Sequence, residues 1–263
     1  MADKQDVLKR KKLFVLDMDG TFYLGNRLLE GSLDFLDKLK ANGVDFLFFT
    51  NNSSRTAPFY TKKLESMGCL VDEGSIVTSG DVTIRFIMEH YRDAGVYLVG
   101  TDLLKESFAH GGVKLTDDSP DIVVLGFDTS LTYEKIERAC YFIRKGAIFI
   151  ATHPDLNCPT EDGFIPDCGS MCALVTASTG VEPRYLGKPF RETVDMIKLL
   201  TGRNDDEIAF VGDRLYTDIA IGVNNGITSI LVLTGETSPA DVECSQIKPD
   251  FIFDSLYALG QAL

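Results

Sequence analysis

No stretch of this chain approaches the roughly 18 consecutive apolar residues of a membrane span, so no bilayer-crossing helix is expected. Basic residues are scarce: 26 Lys and Arg against 39 Asp and Glu leave a formal net charge of −13. That balance argues against nucleic acid or an anionic membrane as the main partner, because either would be repelled over most of the surface. The run Lys9-Arg10-Lys11-Lys12 is the one counter-signal and reads as a solvated end before a buried strand. The six cysteines (Cys69, Cys140, Cys158, Cys168, Cys172, Cys244) lack any paired CxxC spacing. Cys168 and Cys172 are close but have no second pair or histidine nearby, so reduced, part-buried thiols are expected rather than a zinc site. Histidine is equally sparse, and His90, His110 and His153 each read as structural or solvated, although His153 lies in a loop that could face a substrate. The N-terminus has no signal-like apolar stretch, so a cytoplasmic protein is expected. Internal repeats and low-complexity tracts are absent.

What is present is a set of apolar runs that end abruptly in polar groups. Leu13-Phe14-Val15-Leu16 stops at Asp17-Met18-Asp19-Gly20-Thr21, two carboxylates spaced i, i+2. A short apolar run bounded by polar residues and glycine reads as a buried strand feeding a loop, so both acids emerge at the strand's C-terminal tip. In open parallel sheets ligands bind at that edge. Phe46 to Phe49 closes on Thr50-Asn51-Asn52-Ser53, and Ile208 to Val211 closes on Gly212-Asp213-Arg214. Three such tips point to one polar site.

At 263 residues and 44% hydrophobic, the chain can bury one large core or two modest ones. Strand-like runs alternate with helical patterns, which predicts βα units and a largely parallel α/β sheet. Ser32 is expected to cap a helix with Leu33, Leu36 and Leu39 on one face, ended by Asn42-Gly43. A helix from about Ala57 should stop at Gly68, and Ile76 to Ser79 reads as a third strand. Glu207 to Val211, Ser229 to Leu233 and Phe251 to Phe253 supply three more. Between about Asp81 and Tyr185 lies a second alternating set: Val96 to Val99, Ile122 to Leu125, Ala147 to Ala151, and a capped helix from Thr132 to Lys145. This set shows no strand tip rich in paired acids, so residues 81–185 are predicted to be an inserted α/β domain, with 1–80 and 186–263 forming the core.

Asp17, Asp19 and Asp213 make a hard, oxygen-rich site of the kind that holds Mg²⁺ while leaving water and phosphate oxygens to complete the octahedron. A carboxylate approaching a phosphate dianion meets like-charge repulsion of about 4 kcal/mol at about 4 Å and an effective dielectric near about 20. Lys188 in Gly187-Lys188-Pro189 is the obvious second cation, and Pro189 suits the first turn of a helix running to Leu200. Thr50, Asn51 and Asn52 can supply neutral donors to the same phosphate oxygens.

Taken in order, DMDGT (Asp17 to Thr21), TNNSS (Thr50 to Ser54), GKP (Gly187 to Pro189) and GDRLYTD (Gly212 to Asp218) resemble the four motifs of the haloacid dehalogenase-like phosphohydrolases. The wording of TNNSS and GDRLYTD is most similar to the nitrophenylphosphatase, or NagD-like, branch. The resemblance spans nearly the whole chain and implies a Rossmann-like parallel-sheet core with a C2-type cap inserted between the second and third motifs. It implies that Asp17 is the nucleophile forming an aspartyl-phosphate, and that Asp19 protonates the leaving oxygen, then activates water and offers its backbone carbonyl to Mg²⁺. Thr50 and Asn51 would hold the phosphate, Lys188 would neutralise it, Asp213 would ligate Mg²⁺, and Asp218 would support the metal through water.

Asp19 also separates reaction classes, because related ion-pumping ATPases carry threonine at that position and hydrolyse the phosphoenzyme slowly. A sugar phosphomutase would carry its cap just after the first motif, where this chain has only Phe22 to Glu30. A phospho-ligand sensor without turnover would be expected to have lost one of Asp17, Asp19, Lys188 or Asp213, and all are present. The expected partner is a small phosphorylated metabolite, with a homodimer through the cap. From Gly146 to Pro183 there is no Lys or Arg, while Asp155, Glu161, Asp162, Asp167 and Glu182 are acidic. Asn157 to Asp167 has the composition of an exposed loop, which the resemblance makes the cap's specificity loop. Such a loop would disfavour a second phosphate or carboxylate on the leaving group. Sugar, polyol or nucleoside monophosphates are therefore expected over phosphoglycolate, with pyridoxal phosphate as a further alternative.

Overall fold

The computed structural model describes residues 4–160 and 163–263. In chain order the strands are β1 (Leu13–Leu16), β2 (Tyr23–Leu24), β3 (Arg27–Leu28), β4 (Asp45–Thr50), β5 (Ile76–Thr78), β6 (Gly95–Val99), β7 (Lys114–Leu115) and β8 (Ile122–Leu125). They continue with β9 (Ile148–Ala151), β10 (Asn157–Thr160), β11 (Gly163–Pro166), β12 (Arg184–Tyr185), β13 (Ile208–Gly212), β14 (Thr228–Val232) and β15 (Phe251–Phe253). Two compact units share them: among the described residues, 4–50, 60–77 and 188–263 in the first, and 51–59, 78–160 and 163–187 in the second.

The first unit holds a six-stranded sheet in the order β15-β14-β13-β1-β4-β5. Strand β1 is parallel to both neighbours, with Leu13 opposite Ile208 on one side and Asp45 on the other. The chain leaves β1 first toward β4 and β5 and later fills the other side with β13, β14 and β15, which makes β1 the switch point of the sheet. All four residues of β1 and all five of β13 are buried, which is why these strands read as continuous apolar runs rather than alternating ones. The helix Ser32–Ala41 packs Phe35, Leu36 and Leu39 inward, whereas Leu33 is exposed. Ser32 is the first helical residue rather than a cap, and its hydroxyl donates to the carbonyl of Phe22 (2.7 Å). Lys11 departs from the solvated reading of the basic run: it is buried, and its ammonium donates to the carbonyl of Asp206 (2.7 Å).

The second unit holds a five-stranded sheet, β12-β9-β8-β6-β7, parallel throughout. Its helices Tyr133–Arg144 and Cys168–Thr179 contribute Ile136, Ala139, Ile143, Met171 and Val175 to a core shared with Val123, Leu125 and Phe149. Segment 51–54 belongs to this unit because its polar groups are tied there: the Ser53 hydroxyl lies 2.9 Å from the Thr152 hydroxyl and accepts from Phe127 N–H (2.9 Å). Thr101 donates to the carbonyl of Ser54 (3.0 Å), and Ser79 donates to that of Asn51. Within Asn157 to Asp167, expected as a loop, the strands β10 and β11 pair antiparallel and are largely exposed. Glu161 and Asp162 lie outside the described residues. No described helix is long and apolar enough to cross a membrane.

Candidate active site

Strand β1 delivers Asp17 directly, its N–H still donating to the carbonyl of Val211 (2.8 Å) as if the sheet continued one residue further. The chain then turns sharply. Gly20 adopts φ +86°, a region that costs glycine little, and a Cβ there would come within 2.6 Å of the Asp213 carboxylate. The turn is closed by main-chain bonds, from Phe22 and Tyr23 N–H to the carbonyl of Met18 (2.9 and 3.1 Å) and from Gly20 N–H to the carbonyl of Tyr23 (2.8 Å).

Asp213, at the tip of β13, is buried and tied on both oxygens: Thr21 donates to Oδ1 (3.1 Å) and the Glu236 N–H to Oδ2 (2.7 Å). Asp218 lies in a single π-helical turn, Leu215–Ile219, where its Oδ2 accepts from the Arg214 N–H (3.0 Å). Gly212 leaves room for it, since a Cβ at that position would meet the Asp218 side chain at 2.2 Å. Wide helical turns of this kind recur at functional sites.

Lys188 joins these pieces. It is 3% exposed, and its ammonium donates to Asp17 Oδ1 (2.5 Å) and to the carbonyl of Phe49 (3.3 Å) and pairs with Asp218 Oδ1 (2.7 Å). The direct Lys188–Asp218 pair is absent from the sequence reading, which reserved Asp218 for a metal-bound water. A second correction concerns how Lys188 is held: the helix starts at Arg191 with Phe190 as its cap, so Pro189 lies in the preceding turn rather than at the first helical position. Ion pairing, not a helix terminus, orients the ammonium.

One oxygen from each of Asp17, Asp213 and Asp218 lies within 4.8 Å of the others. Burial, then the charge of Asp218, pushes the Asp17 carboxyl well above the usual carboxylate range against the pull of Lys188. The same two causes raise Asp213 to about 6. Burial opposes the charge of Lys188, but Asp17 and Asp218 outweigh it and raise the ammonium above its ordinary value. Carboxyls raised by burial and by a neighbouring charge, as Asp17 and Asp213 are, form the kind of oxygen donor set whose ionisation a hard divalent cation such as Mg²⁺ favours.

Asp19 faces a different environment. Burial raises its carboxyl, while the Lys63 ammonium and a hydrogen bond from Tyr23 Oη to Oδ2 (3.0 Å) work the other way. Thr50 is buried at the tip of β4. Asn51 and Asn52 belong to the second unit. There the Asn51 amide donates to Asp155 Oδ1 (3.1 Å), and Asn52 Oδ1 accepts from Ser54 N–H (3.0 Å) and Oγ (2.7 Å), an Asx turn.

The second unit also contains a cluster the sequence reading missed. His153 is fully buried, with Nδ1 3.7 Å from Asp155 and Nε2 3.4 Å from Asp167. Both carboxylates are 3% exposed, so two of the acids counted toward an acidic specificity loop are inside the unit. Asp167 caps the helix Cys168–Thr179 through the Cys168 N–H. Tyr23 and Lys63 were likewise unread, and the signal for Tyr23 lay only in its place after the glycine turn.

A family profile described as haloacid dehalogenase-like hydrolase matches residues 14–114, and one described as HAD-hydrolase-like matches residues 185–259. The acid sugar phosphatase of Staphylococcus epidermidis is 38% identical, over 95% of this chain and 96% of its own length. The 5'-nucleotidase YutF of Bacillus subtilis is 37% identical, over 95% and 97%. The crystal structure of a 4-nitrophenylphosphatase from Thermotoga maritima superimposes with a TM-score of 0.94 at 49% identity, covering 97% of this chain and 98% of that one.

Proposed function

This chain belongs to the haloacid dehalogenase-like hydrolases, in their nitrophenylphosphatase or NagD-like branch, and from that premise we propose that it is a Mg²⁺-dependent phosphatase of small phosphomonoesters. The observation that carries the reading is the seating of Lys188 against Asp17 and Asp218 at the switch point of the sheet, beside Asp213. An Asp17 oxygen bonds to phosphorus as the bond to the leaving oxygen breaks, and Asp19 gives that oxygen its proton. Water then attacks phosphorus, its proton passes to Asp19, and the bond from Asp17 to phosphorus breaks. Lys188 offsets the repulsion between Asp17 and the incoming dianion. Thr50 and Asn51 hold the phosphate oxygens, and the Asn52 side chain shapes the loop that carries them. Asp17, Asp213 and the Asp19 carbonyl would hold Mg²⁺, with Asp218 acting through water; when bound, the ion supplies positive charge for the transferring phosphoryl group.

The substrate class is a sugar, polyol or nucleoside monophosphate. Its supports are the lack of Lys and Arg from Gly146 to Pro183 and two relatives whose names denote sugar-phosphate and nucleotide hydrolysis. The burial of Asp155 and Asp167 removes part of the charge argument, so the exposed surface of β10 and β11 carries less of the selection than the sequence implied. Steady-state kcat/KM over a phosphomonoester panel with Mg²⁺ tests the class. A sugar phosphate or nucleoside monophosphate should lead, and phosphoglycolate or pyridoxal phosphate leading by about tenfold would overturn it. Acid-quenched reactions with labelled substrate should leave phosphate on Asp17, and failure to trap any in the wild type or its Asp19→Asn variant would remove the covalent route. A homodimer through the second unit, where Leu156, Phe164 and Leu174 are exposed, completes the reading. Sedimentation showing a monomer would reject it.

A further inference from the structure

The leaving oxygen and the attacking water take the same side of phosphorus, opposite Asp17, so a carboxyl held in one rotation can serve both with a single oxygen. Asp19 has two, and one of them is taken: Tyr23 Oη donates to Oδ2 at 3.0 Å. Tyr23 is fully buried, and the Lys63 ammonium stands 3.9 Å from the centre of its ring. The turn does not need this side-chain bond, because it is already closed by the bonds to Met18 and from Gly20, and extended by Leu29 N–H to the carbonyl of Phe22 (3.1 Å). The next residue back, Phe22, is equally buried without a hydroxyl. A phenol buried at this position therefore answers to Asp19, since a buried hydroxyl costs stability unless it is bonded. The cation on the ring face draws electron density from the phenol and strengthens its donation.

We propose that Tyr23, backed by Lys63, is the positioning residue for Asp19, holding Oδ2 so that Oδ1 alone exchanges the proton with the leaving oxygen and then with water. The proposal rests on the reading of Asp19 as general acid and base. In the first step the proton leaves Oδ1 for the departing oxygen, which keeps the electron pair of the broken bond. In the second, Oδ1 receives a proton from the water whose oxygen bonds to phosphorus as the Asp17 bond breaks. Throughout, Tyr23 keeps its own proton and only fixes the rotation of the carboxyl.

The test compares Tyr23→Phe, Lys63→Met and Asp19→Asn on nitrophenyl phosphate, whose leaving group needs little protonation, and glycerol phosphate, whose alkoxide needs it. Tyr23→Phe should lower kcat/KM for glycerol phosphate by at least about tenfold while nitrophenyl phosphate stays within about threefold. With nitrophenyl phosphate the variant should accumulate phosphoenzyme, because breakdown also draws on Oδ1. Lys63→Met should show the same selectivity at smaller size, and Tyr23→Phe should add nothing in the Asp19→Asn background. Thermal stabilisation by Mg²⁺ should be the same in Tyr23→Phe and wild type, separating positioning from loss of the metal site. Equal losses on both esters, or full additivity with Asp19→Asn, overturn the role of Tyr23. Should Asp19→Asn itself show no leaving-group selectivity, the acid–base reading falls and the proposal falls with it. If Tyr23→Phe does not fold, Lys63→Met and its combination with Asp19→Asn decide.

Discussion

Each unit of this protein carries a buried cluster of acids around a basic side chain, and in both clusters three potential ligand atoms lie within 4.8 Å of one another. Around Lys188 stand Asp17 and Asp218, with Asp213 beside them; His153 stands between Asp155 and Asp167. Spacing alone does not separate a site from a strut. The remaining bonds do. Asp155 is engaged by the Asn51 amide and Asp167 by the first N–H of a helix, and the imidazole turns a different nitrogen to each acid. In the first unit the carboxylates lie at the tips of β1 and β13 and in a π-turn, and two of them share the Lys188 ammonium. The first cluster is the one the proposed phosphatase reading draws on; the second is tied into its own unit by the Asn51 amide and a helix N-terminus.

Removing the basic group should therefore have opposite consequences in the two places. Lys188→Met should reduce kcat/KM by about 100-fold or more, read from initial rates with Mg²⁺ saturating. Chelation should be as severe: the metal-stripped enzyme should fall to background and recover with Mg²⁺, and turnover surviving exhaustive chelation would break the assignment of the first cluster. The third effect is on stability. Asp213 is raised to about 6 from an ordinary value of 3.8, so the folded apoprotein binds a proton more tightly than the unfolded chain. That contribution is fully present below pH 3.8, is lost as pH rises to about 6, and amounts to about 3 kcal/mol. Denaturant midpoints of the apoprotein should fall over that window, and Mg²⁺ should flatten the slope. The smallest expected effect on turnover belongs to the second cluster. His153→Gln should cost about 3 kcal/mol of stability by calorimetry while kcat of the folded enzyme stays within about threefold. A large loss of kcat with the melting temperature intact would make His153 part of the reaction and erase the comparison.

The strands of the first unit were legible because parallel strands covered on both faces must be apolar throughout, and their ends must be polar where the chain meets water. Asp17, Asp19, Thr50 and Asp213 could be read from those endings. Helix boundaries were legible where a glycine supplies positive φ, as at Gly43 and Gly68. Ser32 was misread because its hydroxyl serves a carbonyl ten residues back in sequence, a partner no local rule names.

By itself, then, the sequence determined the βα alternation, the interruption of one sheet by a second, and the chemical types gathered at the strand tips, since burial and backbone geometry act within a few residues. Only the tertiary structure decided which of those groups meet. Lys188 reaches Asp17 across 171 positions, Thr21 reaches Asp213 across 192, and His153 lies between acids that looked like surface charge. Such pairings depend on where the chain crosses over and on what burial denies to water. Neither quantity is carried by any short window of residues.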